Sequence, residues 1–280
     1  MIAKAKRVLW RKLNPIKLIV HIGLHKTGST YLQHILNENS DNLQKRGVYY
    51  QRQEGYPAHH RLAWRILLNE HEPLVWLIDE ARNANCDTLI LSSEDLEGIL
   101  YDDRPLEAIQ RAAIQGGVSE IEYHVVLREP GAAFASLYKE LAKHTYVDLL
   151  ALVHSVVRRG FIHMAEPGGG VPYWYYSFDH ARDLKNFARR SGCKPIIHDF
   201  KNMEPFPGWQ VIANHIDSIK FIAGDNAMNK SHSLDKTAEL FQEHLSQIGI
   251  MDPVKIDNLE KFSLKVSKEF ADSHAEALTL

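Results

Sequence analysis

The chain has 280 residues, 45% of them hydrophobic and 24% charged, which fits one α/β domain with insertions or at most two small domains. The formal net charge of −2 supplies no overall basic field, so nucleic acid is excluded as an expected partner. Cys86 and Cys193 are far apart with no metal-type spacing and read as two unpaired thiols of a reducing compartment.

Residues 1–13 hold Lys4, Lys6, Arg7, Arg11 and Lys12, interleaved with Val8, Leu9, Trp10 and Leu13, and no acid. No uninterrupted apolar core follows, so a signal peptide is not expected. A basic amphipathic segment of this kind is more often a solvated or frayed terminus, and it also suits peripheral contact with an anionic membrane surface. No apolar run approaches the roughly 20 residues that span a bilayer. The expected location is cytoplasmic, with peripheral contact at the inner membrane surface. The organisation expected is a basic segment over 1–15 and a single domain over 16–280.

Residues 16–22 predict a buried strand, 29–39 a helix and 47–50 a short second strand. Residues 59–83 carry apolar positions at three- and four-residue spacing and predict helix. Residues 88–91 form a short apolar run ending in Ser92-Ser93-Glu94-Asp95. Helix over 105–115 ends at Gly116-Gly117. Residues 120–127 predict a strand closing on Arg128-Glu129-Pro130, with Pro130 suited to open the next helix. Helix is expected over 147–159, a mobile glycine loop over 165–172 and helix over 178–190. A last core strand follows at 195–200, and two amphipathic helices from Ser233, broken near Asp252-Pro253. Strands alternating with helices imply a mostly parallel sheet in a three-layer α/β/α arrangement, with ligands at the carboxyl ends of the strands.

His21-Ile22-Gly23-Leu24-His25-Lys26-Thr27-Gly28-Ser29-Thr30-Tyr31 links the first strand to its helix. A glycine-bearing turn into a helix N-terminus is an anion site, because free N–H groups and the helix dipole converge there. Gly23, Gly28 and Thr30 match the phosphate-loop spacing of NTPases, but Ser29 stands where the lysine belongs, and the loop's own lysine is Lys26. A second polar group follows another strand. Arg128 carries a planar fork of donors suited to phosphate, and Ser136 lies off the Phe134, Leu137 and Leu141 stripe.

Lys26-Thr27-Gly28-Ser29-Thr30 resembles the 5′-phosphosulfate loop of PAPS-dependent sulfotransferases, and Arg128 with Ser136 resembles the arginine and serine that hold the 3′-phosphate there. The Arg128–Lys139 stretch is most similar to bacterial carbohydrate-type members. Asn229-Lys230-Ser231 resembles their C-terminal loop. The resemblance implies a P-loop NTPase-like sulfotransferase fold. It also implies transfer of a sulfuryl group from PAPS to a hydroxyl or amine of a carbohydrate or glycolipid, with PAP released and no metal required. Lys26 would stabilise the leaving group. Thr27, Gly28, Ser29 and Thr30 would hold the 5′-phosphate, Tyr31 would stack on the adenine or else pack in the core, and Lys230 and Ser231 would close over the nucleotide.

An acceptor hydroxyl needs a base. Glu94 is the expected one: it follows the 88–91 run at a position that resembles that of the catalytic histidine in cytosolic sulfotransferases, with His25 as rival and capping of the next short helix by Glu94 or Asp95 as the alternative. His59 and His60 read as surface residues. Tyr173, Trp174, Tyr175 and Tyr176 read either as a sugar-stacking wall or as buried packing. The other functions open to this sequence are a phosphate-loop kinase or NTPase, which Ser29 and the lack of a clear Mg²⁺ carboxylate disfavour, and a non-catalytic nucleotide-binding protein.

Overall fold

The first strand, Ile16–His21 (β1), is buried at almost every position, as a strand covered on both faces must be. The computed structural model describes residues 11, 14–202, 204–206, 208–213, 232–251 and 253–280. After β1 come helices Ser29–Glu38 (α1) and Ser40–Gln44 (α2), strand Val48–Tyr49 (β2), and helices His60–Leu67 (α3) and Glu72–Asn83 (α4). Strand Thr88–Ser92 (β3) leads through a 3₁₀ turn, Glu94–Leu100, into helix Asp103–Gly116 (α5). Strand Val118–Leu127 (β4) precedes helices Pro130–Leu141 (α6) and Leu149–Arg159 (α7). Strands Phe161–Gly168 (β5) and Val171–Ser177 (β6), helix His180–Ser191 (α8) and strand Ile196–Asp199 (β7) follow, then helices Leu234–Gln247 (α9) and Leu259–Ala277 (α10).

Five strands make one parallel sheet in the order β2-β3-β1-β4-β7. Alternation along the strands divides the core. Leu18, Val20, Leu89 and Leu91 face the side covered by α4, α5 and α8, while Ile19 and Ile90 face Leu32, Ile35 and Leu36 of α1. A third apolar cluster lies where α6, α7, α9 and α10 meet the β5–β6 pair. The architecture is α/β with a central parallel sheet flanked by helices. β1 is central: the chain leaves it for β2 and β3 on one side and returns as β4 on the other. Its carboxyl end is therefore a topological switch point, where such sheets open a crevice.

Three local expectations are corrected. The helical pattern over 59–83 is two helices, because Asn69 takes a left-handed φ of 69° and Pro73 opens the second. The glycine loop over 165–172 is a β-hairpin. β5 and β6 pair antiparallel, and Gly169 and Gly170 supply the positive φ values of its turn, 64° and 86°. Arg11, counted in the basic segment, is buried in a two-pronged contact with Asp79, at 3.0 and 2.6 Å. The other cations of that segment, and Lys230 and Ser231, lie outside the described residues. Among the described residues no helix is long and apolar enough to cross a membrane. Cys86 and Cys193 are unpaired.

Burial pushes four histidines far below their ordinary value: His21 and His180 to about 3, and His59 and His198 to about 4. The unfolded chain protonates each near pH 6.5. Their stabilisation is therefore present above about pH 6.5 and lost as pH falls toward 3–4, at up to ~1.4 kcal/mol per pH unit for each. His25 runs the other way. Burial opposes its charge, but Asp95 and Glu97 raise it to about 10, so its contribution is complete below about 6.5 and lost toward pH 10. Stability is expected to peak near neutrality. Urea midpoints should already fall between pH 7 and 5, where most carboxylates remain ionised, and a midpoint that holds or rises at pH 5 contradicts this.

Candidate functional site

The loop after β1 is built onto both neighbouring strands. Ile22 and Leu24 donate their N–H groups to His124 and Val126 of β4, and Val126 returns one to Gly23. On the other side, a Cβ at Gly23 (φ 98°) would stand 3.2 Å from the Glu94 Cα, so glycine is needed for this approach. Gly28, left-handed at φ 83°, turns the chain into α1, whose first turn has no capping side chain and no acidic residue. Its leading N–H groups are thus available to an anion. The loop hydroxyls face inward. Thr27 Oγ1 and Ser29 Oγ donate to the Leu24 carbonyl at 2.5 and 3.3 Å, which shapes the turn. Thr30 Oγ1 lies 3.4 Å from the Tyr56 hydroxyl.

Arg128, at the end of β4, reaches this loop. Its Nη1 donates to the Lys26 carbonyl at 2.8 Å, holding Lys26 at a left-handed φ of 63°, and its guanidinium lies 5.0 Å over the Phe200 ring. The Lys26 ammonium pairs with Glu140 of α6 at 3.0 Å. Burial alone would raise the Glu140 carboxyl, but Lys26 and Lys143 hold it below its ordinary value. Lys26, Gly28, Ser29, Thr30, Tyr31, Arg128 and Ser136 line one crevice of about 930 Å³, which His25 and Glu94 line as well. Thr27 lies beneath this surface, 2% exposed. The Tyr31 ring packs 5.6 Å from Phe206.

Opposite the cations stands a string of acids and imidazoles. Glu97 is buried. Its Oε2 accepts from the His25 N–H at 2.8 Å and stands 2.7 Å from His25 Nδ1, and its Oε1 accepts from the Ser177 N–H at 2.6 Å. His25 Nε2 faces Asp95 Oδ1 at 3.6 Å. Asp95 Oδ2 accepts from Trp64 Nε1 at 2.6 Å and stands 2.8 Å from His60 Nδ1. Burial would raise Asp95, but His25 and His60 hold it well below the carboxylate range. Glu94 Oε2 accepts from Gln33 Nε2 at 2.8 Å. Ser93, rather than an acid, caps the 3₁₀ turn by accepting from the Asp95 N–H.

This string revises two readings. His59 and His60 are not surface residues: His59 is buried and accepts from the Ser92 N–H, and His60 lines the crevice. His25, the rival base, is held protonated between two carboxylates and acts as a fixed cation. Strand alternation splits the aromatic run. Trp174 and Tyr176 face the crevice, Tyr176 from within the apolar cluster under the hairpin and only 5% exposed, while Tyr173 and Tyr175 pack into the core beside the sheet. Glu97, Trp64, Glu140 and Phe200 were not anticipated. Their identities are visible in sequence, but each is brought in by an element remote from the loop. Among the described residues no group of three or more His, Cys, Asp or Glu is placed to hold a metal ion.

No known family model, curated protein or solved structure matches the chain.

Removing a buried carboxylate that neutralises a buried cation typically costs about 3–5 kcal/mol. Glu97→Ala leaves the His25 charge and the Ser177 N–H without their partner and is expected to destabilise by that amount. Chemical denaturation of the variant measures it, and a loss under about 1 kcal/mol rules out a structural role for the string.

Proposed function

We propose that this chain is a sulfotransferase that moves a sulfuryl group from PAPS to a hydroxyl or amine of a carbohydrate or glycolipid acceptor. The observation that supports the reading is the Arg128–Lys26 contact at 2.8 Å: two segments that resemble phosphate-binding motifs, far apart in sequence, meet at one crevice. The parallel sheet with its loop at the switch point is compatible with the P-loop-like sulfotransferase fold that the motifs imply.

The residues present fit such a donor. The uncapped first turn of α1 offers N–H groups, Lys26 and Arg128 offer positive charge, and Ser136 and Phe200 line the adjoining wall. PAPS would supply the sulfuryl group and a stable leaving phosphate. Lys26, released from Glu140, would meet the negative charge that develops on the leaving oxygen. The N–H groups of Gly28, Ser29 and Thr30 would hold the 5′-phosphate, with Thr27 and Ser29 setting their directions from below. Arg128 and Ser136 would hold the 3′-phosphate, and Tyr31 would flank the base. Glu94 and His60 stand at the acceptor end, where a proton must leave. Trp174, Tyr176, Trp64 and Tyr56 give that end aromatic faces suited to a sugar. The site needs no metal under this reading. The kinase alternative gains little: Ser29 is turned into the loop, and Asp95 is already engaged by Trp64 and His60.

Calorimetric titration with PAP, and separately with Mg-ATP, tests the reading. Micromolar PAP binding that Arg128→Ala abolishes is expected, with ATP much weaker. Preferred Mg-ATP binding would instead favour the kinase. Lys26→Ala is expected to lower turnover about 100- to 1,000-fold, the scale of one transition-state donor. Turnover within a few-fold of the parent would remove Lys26 from that role. Transfer is expected to survive EDTA, and full loss on chelation contradicts a metal-free site.

A further inference from the structure

We propose that His60 is the general base that takes the acceptor's proton, with Asp95 as its positioning residue and Glu94 aligning the acceptor through a neighbouring hydroxyl. This rests on the sulfuryl-transfer reading.

His60 opens α3, an element that contributes nothing to the anion loop, yet its ring lines the crevice beside Glu94. Its two nitrogens differ. Nδ1 stands 2.8 Å from Asp95 Oδ2 and 2.9 Å from Ser93 Oγ. An ionised carboxylate at that nitrogen favours the Nδ1–H tautomer, which leaves the lone pair on Nε2. Nε2 faces Glu94 Oε1 at 4.0 Å. That is too long for a direct hydrogen bond, so an acceptor hydroxyl can donate its one proton to Nε2 while Glu94 accepts from a neighbouring hydroxyl of the same acceptor. The ring is braced by Trp64, stacked at 6.3 Å, and by Tyr56 at 5.0 Å.

The neighbours are less suited. Both His25 nitrogens also face carboxylates, at 2.7 and 3.6 Å, and these raise its pKa to about 10, so it is protonated at neutral pH, whereas the nearest carboxylate to His60 Nε2 is 4.0 Å away. Glu94 has one oxygen engaged by Gln33 and the other turned toward His60. The charged and titratable groups around His60 are Glu94 and Asp95 from the 3₁₀ turn, His25 from the loop, and His59 and Tyr56 from the preceding segment. Burial and His25 lower the His60 pKa, but Asp95 and Glu94 outweigh them and raise it above 6.5. The His60–Asp95 pair is backed by His25 and Glu97, so the imidazolium formed on proton uptake faces anions already fixed in place.

The step balances. The acceptor oxygen bonds to sulfur as sulfur's bond to the bridging oxygen of the phosphosulfate breaks. The bonding pair stays on the departing phosphate oxygen, where Lys26 meets it. The acceptor's proton passes to His60 Nε2 and then to solvent.

Two measurements test this. Nitrogen NMR of the unliganded protein reads the His60 tautomer and midpoint directly. A neutral ring protonated on Nδ1, titrating above pH 6.5, is expected, and a ring protonated on Nε2 overturns the proposal. Labelled PAPS with 4-methylumbelliferyl β-glucoside as probe acceptor, and with water alone, then reads transfer in His60→Gln, Glu94→Gln and Asp95→Asn. His60→Gln should lower kcat about 100- to 10,000-fold and abolish the rising limb of the pH profile, with PAP affinity kept within threefold. Asp95→Asn should lower kcat at least tenfold and move that limb to lower pH, since the group that raised the His60 pKa is gone. Glu94→Gln should act mainly on KM. Turnover in His60→Gln within threefold of the parent overturns the role of His60 and leaves the sulfotransferase reading standing. No PAP binding, or PAP binding with no turnover by the parent protein, overturns both.

Discussion

One buried carboxylate organises the crevice. Glu97 accepts from the His25 backbone and from the Ser177 backbone and stands against the His25 ring, so it ties the loop after β1, the turn after β3 and the β5–β6 hairpin to one point. A buried charge of this kind is weak support for stability in general, because desolvation offsets most of the attraction. Its effect here is geometric. Both carboxylate oxygens are engaged, one by the loop and one by the hairpin, so Glu97 fixes those two elements against the turn that carries it.

The crevice is polarised along its length. Lys26, Arg128 and the uncapped start of α1 make one end positive. Glu94, Asp95 and His60 make the other a zone of proton acceptors and oriented imidazole. Glu140 sits at the cationic end and neutralises Lys26 while no anion is there. Under the proposed reading an anion would have to displace that carboxylate, so the net gain from Lys26 would be smaller than that of a bare ammonium. The same pairing keeps the ammonium ordered beside the loop. The hairpin adds an aromatic wall because alternation turns Trp174 and Tyr176 toward the crevice and their neighbours into the core.

His25 shows how one residue type takes opposite states within one fold. Buried His21, with the histidines 124 and 198 nearby, is kept neutral, whereas His25, equally enclosed, is kept charged by two carboxylates. Burial acts alike on both, and the partners decide the outcome. A count of histidines therefore says nothing about charge at neutral pH, and sequence proximity to the loop says nothing about which imidazole can accept a proton.

The sequence by itself determined what depends on neighbours in the chain. The apolar runs marked β1, β3 and β4 because a strand buried on both faces needs apolar side chains at successive positions. Gly23 and Gly28 marked the loop because its turns need positive φ and close backbone approach. Arg128, placed at a strand end, followed from the alternation of strands and helices. Only the tertiary structure decided the rest. The hairpin was hidden because Gly168-Gly169-Gly170 serves a mobile loop as well as a turn. The placement of His60, Asp95, Glu97 and Glu140 depends on how α3, the 3₁₀ turn and α6 pack around the switch point. That packing sets their charge states and partners, and the desolvation and fields responsible come from residues distant in sequence.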